Sequence, residues 1–207
     1  MAQRSAKNSK KSHTSHNIRP TSGKVLLALF NILQSSGLIA GSRLLDLFAG
    51  TGEVSLAALA HGAAFALAVE SDRTMAAAIS RRFASLSSAS RPGSASVMTG
   101  DVRRILPKLA RLTKEGEAEA AQKFDVVFAD PPYCLGWGET LPRLVEENFS
   151  VLSEGGVFVF EHSTREEPAK MSSSTFTRDD RIYGETVLSF YWANKQGAGE
   201  AREEDVF

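Results

Sequence analysis

A doubly wound α/β fold, with a mostly parallel sheet closed by an antiparallel hairpin, is predicted by three observations. Short apolar runs such as Phe65–Glu70 and Phe124–Ala129 are continuous rather than alternating, as strands covered on both faces are. Amphipathic or charged helical segments separate them, and strand-then-helix repetition implies parallel pairing with right-handed crossovers. Carboxylates then recur where these runs stop, at Asp46, Glu70, Asp101 and Asp130, and ligands of open α/β sheets bind outside the carboxyl ends of strands.

The elements follow in order. Val25, Leu26, Leu29, Phe30, Ile32 and Leu33 recur at i, i+3, i+4 and i+7 and predict a helix ending near Gly37, capped by a hydroxyl of Thr21 or Ser22. A buried strand is expected over Arg43–Phe48, running through Ala49-Gly50-Thr51-Gly52 into a helix from Glu53 to His61. Phe65–Glu70 is the second strand, Asp72–Leu86 the second helix of this repeat, and Ser94–Thr99 the third strand, closed by Gly100-Asp101. Val102–Leu112 reads as helical despite Pro107, and 113–123 as a charged surface connector. The strand at Phe124 stops at Asp130-Pro131-Pro132-Tyr133, because two prolines prohibit further ladder pairing and fix the backbone beside them. A helix over Leu141–Phe149, a turn at Glu154-Gly155-Gly156 and a fifth strand over Val157–Glu161 come next. Runs from Thr175 and over Thr186–Trp192, separated by Tyr183-Gly184-Glu185, read as the hairpin.

Composition bounds the function. The chain has 207 residues, 43% of them hydrophobic, enough for one continuous core. One domain over 19–193 is therefore expected, with a basic tail at 1–18 and an acidic tail at 194–207, both disordered. Cys134 is the sole cysteine, which excludes an internal disulfide; His13, His16, His61 and His162 are scattered, so no metal is expected. No apolar stretch reaches the ~20 residues needed to cross a bilayer, and the polar N-terminus lacks a signal-peptide pattern. A cytoplasmic monomer without membrane contact is expected. The zero net charge hides an asymmetry. Arg4, Lys7, Lys10, Lys11, Arg19, Lys24 and Arg43 all precede the first acid, Asp46, whereas Glu200, Glu203, Glu204 and Asp205 crowd the other end. A basic arm suits phosphate contact, although a solvated tail would read the same way.

Asp46-x-Phe48-x-Gly50-x-Gly52 lies between a strand and a helix, where glycine lets backbone N–H groups approach a ligand. Ser55 stands where a dinucleotide fingerprint has its third glycine, which counts against NAD. Glu70, eighteen residues after Gly52, suits a pair of ribose hydroxyls, and Asp101 can accept from an adenine amine. A helix cap or solvated turn would explain any one of these acids alone.

Taken together, Asp46-Leu-Phe-Ala-Gly-Thr-Gly52, Glu70, Gly100-Asp101 and Asp130-Pro-Pro-Tyr133 resemble the ordered motifs of class I S-adenosylmethionine-dependent methyltransferases acting on exocyclic amines. Arg19-Pro-Thr21, Leu29-Phe-Asn-Ile-Leu33, Glu161-His162 and Arg181-x-Tyr183-Gly184 narrow the resemblance to the RsmD family of small-subunit (16S) rRNA guanine-N2 methyltransferases, over about Arg19 to Trp192. It implies a Rossmann-like class I methyltransferase fold with a seven-stranded sheet, and S-adenosylmethionine as cofactor. Asp46, Phe48, Ala49, Gly50, Thr51, Gly52, Glu70, Ser71, Asp101 and Val102 would hold that cofactor. Catalysis would fall to Asp130, Pro131, Pro132 and Tyr133. Asp130 and the Pro131 carbonyl would accept the amine N–H groups while Tyr133 stacks on the turned-out base. Arg19, Thr21, Lys24, Tyr133 and His162 would contact the substrate, small-subunit rRNA within a ribosomal particle. His162 reads equally as a satisfied core histidine. The family's basic hairpin before Arg19 is absent here, and Ser22-Gly23-Lys24 and Leu26-Leu27 replace its charged pairs. The rival readings are an N6-adenine or other exocyclic-amine nucleic-acid methyltransferase, an N5-glutamine protein methyltransferase, which would have Asn in place of Asp130, and a non-catalytic RNA-binding assembly factor.

Overall fold

The computed structural model describes residues 23–86, 93–115, 122–132 and 135–194. Helix α1 spans Gly23–Ser35 and buries Val25, Leu29, Phe30 and Leu33, the stripe its periodicity predicts. It stops because Gly37 turns left-handed (φ 71°). The Leu38 N–H then reaches the Leu33 carbonyl (2.9 Å) and the Gly37 N–H that of Gln34 (3.1 Å), satisfying carbonyls the helix leaves open. Strand β1 (Arg43–Asp46), helix α2 (Glu53–Ala60), β2 (Phe65–Glu70), α3 (Arg73–Ala84), β3 (Ser94–Thr99) and α4 (Val102–Glu115) follow. Then come β4 (Phe124–Ala129), α5 (Trp137–Glu147), a 3-10 turn at Phe149–Val151, β5 (Leu152–Ser163), β6 (Phe176–Tyr183) and β7 (Thr186–Ala193).

Seven strands form one sheet in the order β3-β2-β1-β4-β5-β7-β6. The first five are parallel, and β7 runs antiparallel between β5 and β6, which is the mostly parallel sheet with a closing hairpin that the sequence predicts. The hairpin turns on Gly184 and Glu185, between the paired Tyr183 and Thr186, with Gly184 at φ 65° supplying the positive φ such a two-residue loop requires. Strand alternation divides the core. Leu45, Leu67, Val127, Phe158 and Phe160 pack with Ile105, Leu106 and Leu109 of α4 and Leu141 and Val145 of α5. Leu44, Val126, Phe128 and Val159, on the opposite face, pack with α1 and with Val54 and Ala58 of α2, while Ala68 meets Ile79 and Phe83 of α3. Each fully buried Leu or Phe contributes roughly 1.5–3 kcal/mol.

The main departures from the sequence reading have local reasons. β1 ends at Asp46, two residues early, because the chain turns there toward the glycine loop. α4 continues to Glu115, three residues into the expected connector, and α5 begins at Trp137, before Leu141, because Gly136 in a left-handed conformation starts it. Glu154-Gly155-Gly156 is no turn between elements. It forms a bulge inside a twelve-residue β5, where Ser153 Oγ donates to Asp125 Oδ1 (2.8 Å) and the Arg43 N–H to Asp125 Oδ2 (2.8 Å). Asn194, assigned to the acidic tail, is tied to the Thr175 carbonyl through its N–H (2.8 Å). The other tail assignments lie outside the described residues.

Strands β1 and β4 are neighbours, yet the chain leaves β1 toward β2 and β3 and then returns to β4 on the other side. The crevice at their carboxyl ends is thus the place where a doubly wound sheet binds its ligand.

Candidate functional site

A cavity of about 750 Å³ opens at that crevice, within the roughly 300–1,000 Å³ usual for small-molecule and cofactor sites. Asp46, Phe48, Ala49, Gly50 and Thr51 line it from β1 and the glycine loop, Glu70 and Ser71 from the end of β2, and Asp101 and Val102 from the end of β3. Asp130, Pro131 and Pro132 close it from the end of β4. Twelve of the residues singled out in the sequence thus meet around one space.

Asp46 is 1% exposed. Its Oδ2 accepts from Ser55 Oγ of α2 (2.9 Å), and its Oδ1 is buried without a hydrogen-bond partner. Burial pushes its pKa from 3.8 up to about 7; the Ser55 hydroxyl opposes that rise, and the Glu70 charge adds to it. Ser55, the residue that breaks the dinucleotide pattern, therefore has a task of its own. Glu70 organises the loop: Oε2 accepts from the Gly50 N–H (2.9 Å), and Oε1 from the Asp72 N–H (2.8 Å) and Ser71 Oγ (3.3 Å). Gly50, at φ 53°, can present its N–H in this way because it has no Cβ. Asp101 Oδ1 accepts from the Arg103 N–H (2.8 Å), capping α4 and leaving Oδ2 turned toward Arg103 Nη1 at 3.7 Å.

The lining carries Asp46, Glu53, Glu70, Asp101 and Asp130 against one cation, Arg103. Such a wall repels phosphate and favours a ligand that is cationic or rich in hydroxyl and amine donors. That chemistry disfavours a pyrophosphate-bearing dinucleotide, in agreement with the missing third glycine. Among the described residues there is no group of three or more His, Cys, Asp or Glu that could hold a metal ion, and no helix is long and apolar enough to cross a membrane.

Three predicted residues stand apart from the cavity. Gly52 (φ 81°) starts α2, and a Cβ there would meet Ile79 Cγ2 of α3 at 3.1 Å, so its missing Cβ serves helix packing. Lys24 is exposed in the first turn of α1 and is not among the lining residues. His162 is 2% exposed in the core beside Phe160. Its Nδ1–H donates to the Ser163 carbonyl (3.0 Å), and Nε2 faces Ser189 Oγ (2.8 Å). Burial lowers its pKa, so it is the satisfied core histidine of the two readings. The assignments to Arg19, Thr21 and Tyr133 lie outside the described residues.

Sequence reasoning missed Met75, Arg103, Leu135 and Trp137, all in the lining. Trp137, the first residue of α5, meets Phe48 edge-to-face (4.8 Å) and carries the Arg103 guanidinium 3.9 Å above its ring. An aromatic residue five positions after Pro132 was the available signal.

The family model described as Conserved hypothetical protein 95 matches residues 6–192. The chain belongs to this family. The family resemblance read from the motifs is thereby borne out. Ribosomal RNA small subunit methyltransferase D of Escherichia coli K12 is 27% identical over 184 residues, covering 89% of this chain and 84% of that protein. Among solved structures, yhhF of E. coli superposes with a TM-score of 0.69 at 24% identity, over 87% of this chain and 91% of that one. A SAM-dependent methyltransferase of Thiobacillus denitrificans, in complex with S-adenosyl-L-homocysteine, superposes at 0.51 with 19% identity, over 72% of this chain and 52% of that one. At such identities the two structures establish the shared fold.

Proposed function

We propose that this protein is an S-adenosylmethionine-dependent methyltransferase acting on the exocyclic N2 of a guanine in small-subunit rRNA. The observation that carries the reading is the convergence of four strand-end carboxylates, Asp46, Glu70, Asp101 and Asp130, on one cavity beside two prolines. The E. coli relative supports an rRNA acceptor, and the T. denitrificans complex supports the cofactor.

Bound in the cavity, S-adenosylmethionine supplies an electrophilic methyl group on a cationic sulfur. The residues present fit such a group. Asp46, whose Oδ1 has no hydrogen-bond partner, lines the cavity, where a cationic ligand would offset the burial of its charge. Glu70 keeps lone pairs free beside those used by Gly50 and Asp72 and accepts the ribose hydroxyls, while Asp101 Oδ2 accepts the adenine amine. Phe48 and Trp137 supply apolar surface that excludes water.

Guanine N2 is a weak nucleophile because its lone pair is delocalised into the ring. Asp130 and the Pro131 carbonyl accept its N–H groups and turn the lone pair toward the methyl carbon; ordering the two reactants contributes on the order of 7–11 kcal/mol. Asp130 or water would take the amine proton, which becomes acidic only once the methyl is attached. A strong base is not needed. Tyr133 stacks on the displaced base, worth roughly 1–3 kcal/mol. With so little surface for reading sequence, the enzyme takes a loop already splayed by an assembled or partly assembled particle.

Labelled cofactor incubated with small subunits, deproteinised rRNA and duplex DNA from cells lacking the enzyme tests this. Label on guanine N2 of particle rRNA is expected. Label on DNA or on adenine overturns the substrate assignment, and equal labelling of naked rRNA overturns the particle preference.

A further inference from the structure

The outward face of α4 carries a row of cations with almost no internal counter-charge. Its buried side is Val102, Ile105, Leu106, Leu109 and Ala110. At 100° per residue, Arg104, Lys108 and Arg111 lie directly opposite in one line, and all are exposed. Arg103 and Lys114 flank them. The one acid in the helix is Glu115, 3.9 Å from Arg111 in a solvent-exposed pair, a contact of little strength. Like charges at i, i+3 and i, i+4 repel, so this arrangement works against the isolated helix.

The row is bounded and begins at the cavity. Neighbouring α5 bears Glu139, Glu146 and Glu147 against Arg143, so positive charge does not spread across the whole face. Arg103, one residue before the row, lies in the cavity wall, stacked on Trp137. From Arg104 to Arg111 the helix advances about 10 Å at 1.5 Å per residue, enough to meet successive phosphates of an extended strand.

We infer that this face of α4 is a phosphate track, along which the RNA strand adjoining the target nucleotide lies as it enters the cavity. The inference rests on the rRNA reading above and adds to it a place and a direction of approach. The occupant is a polyanion because the track offers charge without an apolar groove: the exposed positions between the cations add little beyond their aliphatic stems. Arg103 would be the innermost contact, next to the acceptor.

The test uses the full chain with Arg104→Gln, Lys108→Gln and Arg111→Gln combined. A control removes equal charge elsewhere through Arg81→Gln, Lys123→Gln and Lys170→Gln, all exposed. Binding to protein-free rRNA is measured from 0.05 to 0.3 M salt. At about 0.7 per phosphate for single strands, the log-log salt slope of the track variant should become shallower by about 2, with affinity at 0.1 M salt falling by up to roughly 100-fold. The control should keep the wild-type slope, and all three proteins should bind S-adenosylmethionine equally, which also reports that they are folded. Equal slopes for track variant and control overturn the track while leaving the rRNA reading intact. A wild type that binds an acidic protein or DNA in preference to RNA overturns both.

Discussion

Replacing Asp46 by Asn should make the cofactor-free protein more stable at pH 8, less stable at pH 4, and unable to hold its cofactor tightly. The wild-type carboxyl titrates at about 7 in the fold against 3.8 for a solvated aspartate. At 1.36 kcal/mol per unit that gap corresponds to roughly 4 kcal/mol. The sign follows from linkage. A carboxyl whose folded pKa is raised is held best when protonated, so it costs nothing below about pH 4. Its cost grows as the pH rises from about 4 to 7 and is constant above that. Asn never pays that penalty, but it places an amide group where Oδ1 has no partner, at about 1–3 kcal/mol independent of pH. The difference between the two proteins should therefore change by several kcal/mol across this window and reverse sign within it. Urea denaturation at half-unit steps from pH 4 to 8.5 reads the difference directly. A flat difference would refute the buried charge. Adding S-adenosylmethionine at 100 times its wild-type Kd should stabilise the wild type by about 2.7 kcal/mol and the variant far less.

Glu70→Ala should weaken cofactor binding by about 1.5–3 kcal/mol, since Glu70 both faces the cavity and holds the Gly50 N–H; calorimetry returning the wild-type Kd would remove it from the site. Asp130→Ala should abolish methyl transfer while cofactor affinity stays within about twofold; a variant that still turns over would show that the amine is oriented by something else. Gly52→Ala should cost about 1–3 kcal/mol, because φ is 81° and the added Cβ would lie 3.1 Å from Ile79 Cγ2. In an Ile79→Ala background, which removes both γ carbons, Gly52→Ala should cost as much again, since φ is unchanged; a cost that vanishes there in a thermal melt would place it in the side-chain contact instead.

The fold was legible because its signals are local and repeated. β2 and β3 fall on the predicted residues, and α1, α2 and α3 come within a few of theirs, since buried parallel strands are continuous apolar runs and the helices between them follow a 3.6-residue period. The failures lie where two signals compete. Gly155-Gly156 reads as a turn in any sequence, yet β5 absorbs both as a bulge because Asp125 on the adjacent strand binds both Ser153 and Arg43. Such a bond spans 28 residues in one direction and 82 in the other, a pairing that local pattern does not contain.

The site was legible to the extent that strand ends define it. Asp46, Glu70, Asp101 and Asp130 each follow an apolar run, and parallel pairing alone brings the ends of β3, β2, β1 and β4 side by side. Gly52 and His162 stand outside the cavity lining for opposite reasons. Gly52 sits within a motif that approaches the ligand, but its missing Cβ makes room for Ile79, a neighbour 27 residues away that no motif spacing encodes. His162 lies near the end of β5, the strand that borders β4, and an odd or even position along that strand decides whether its ring faces the ligand crevice or the layer beneath. Its ring nitrogens meet Ser163 and Ser189, and Ser189 Oγ also lies 2.7 Å from Asp180 Oδ1, so the histidine joins β5 to the hairpin. Trp137 is the converse case: it looks like core in sequence and is 6% exposed in the fold, yet the little surface it keeps faces the cavity. Residues that build the floor of a buried site are apolar because they exclude water, and only the fold, which here draws the Arg103 guanidinium onto the Trp137 ring, separates them from ordinary core.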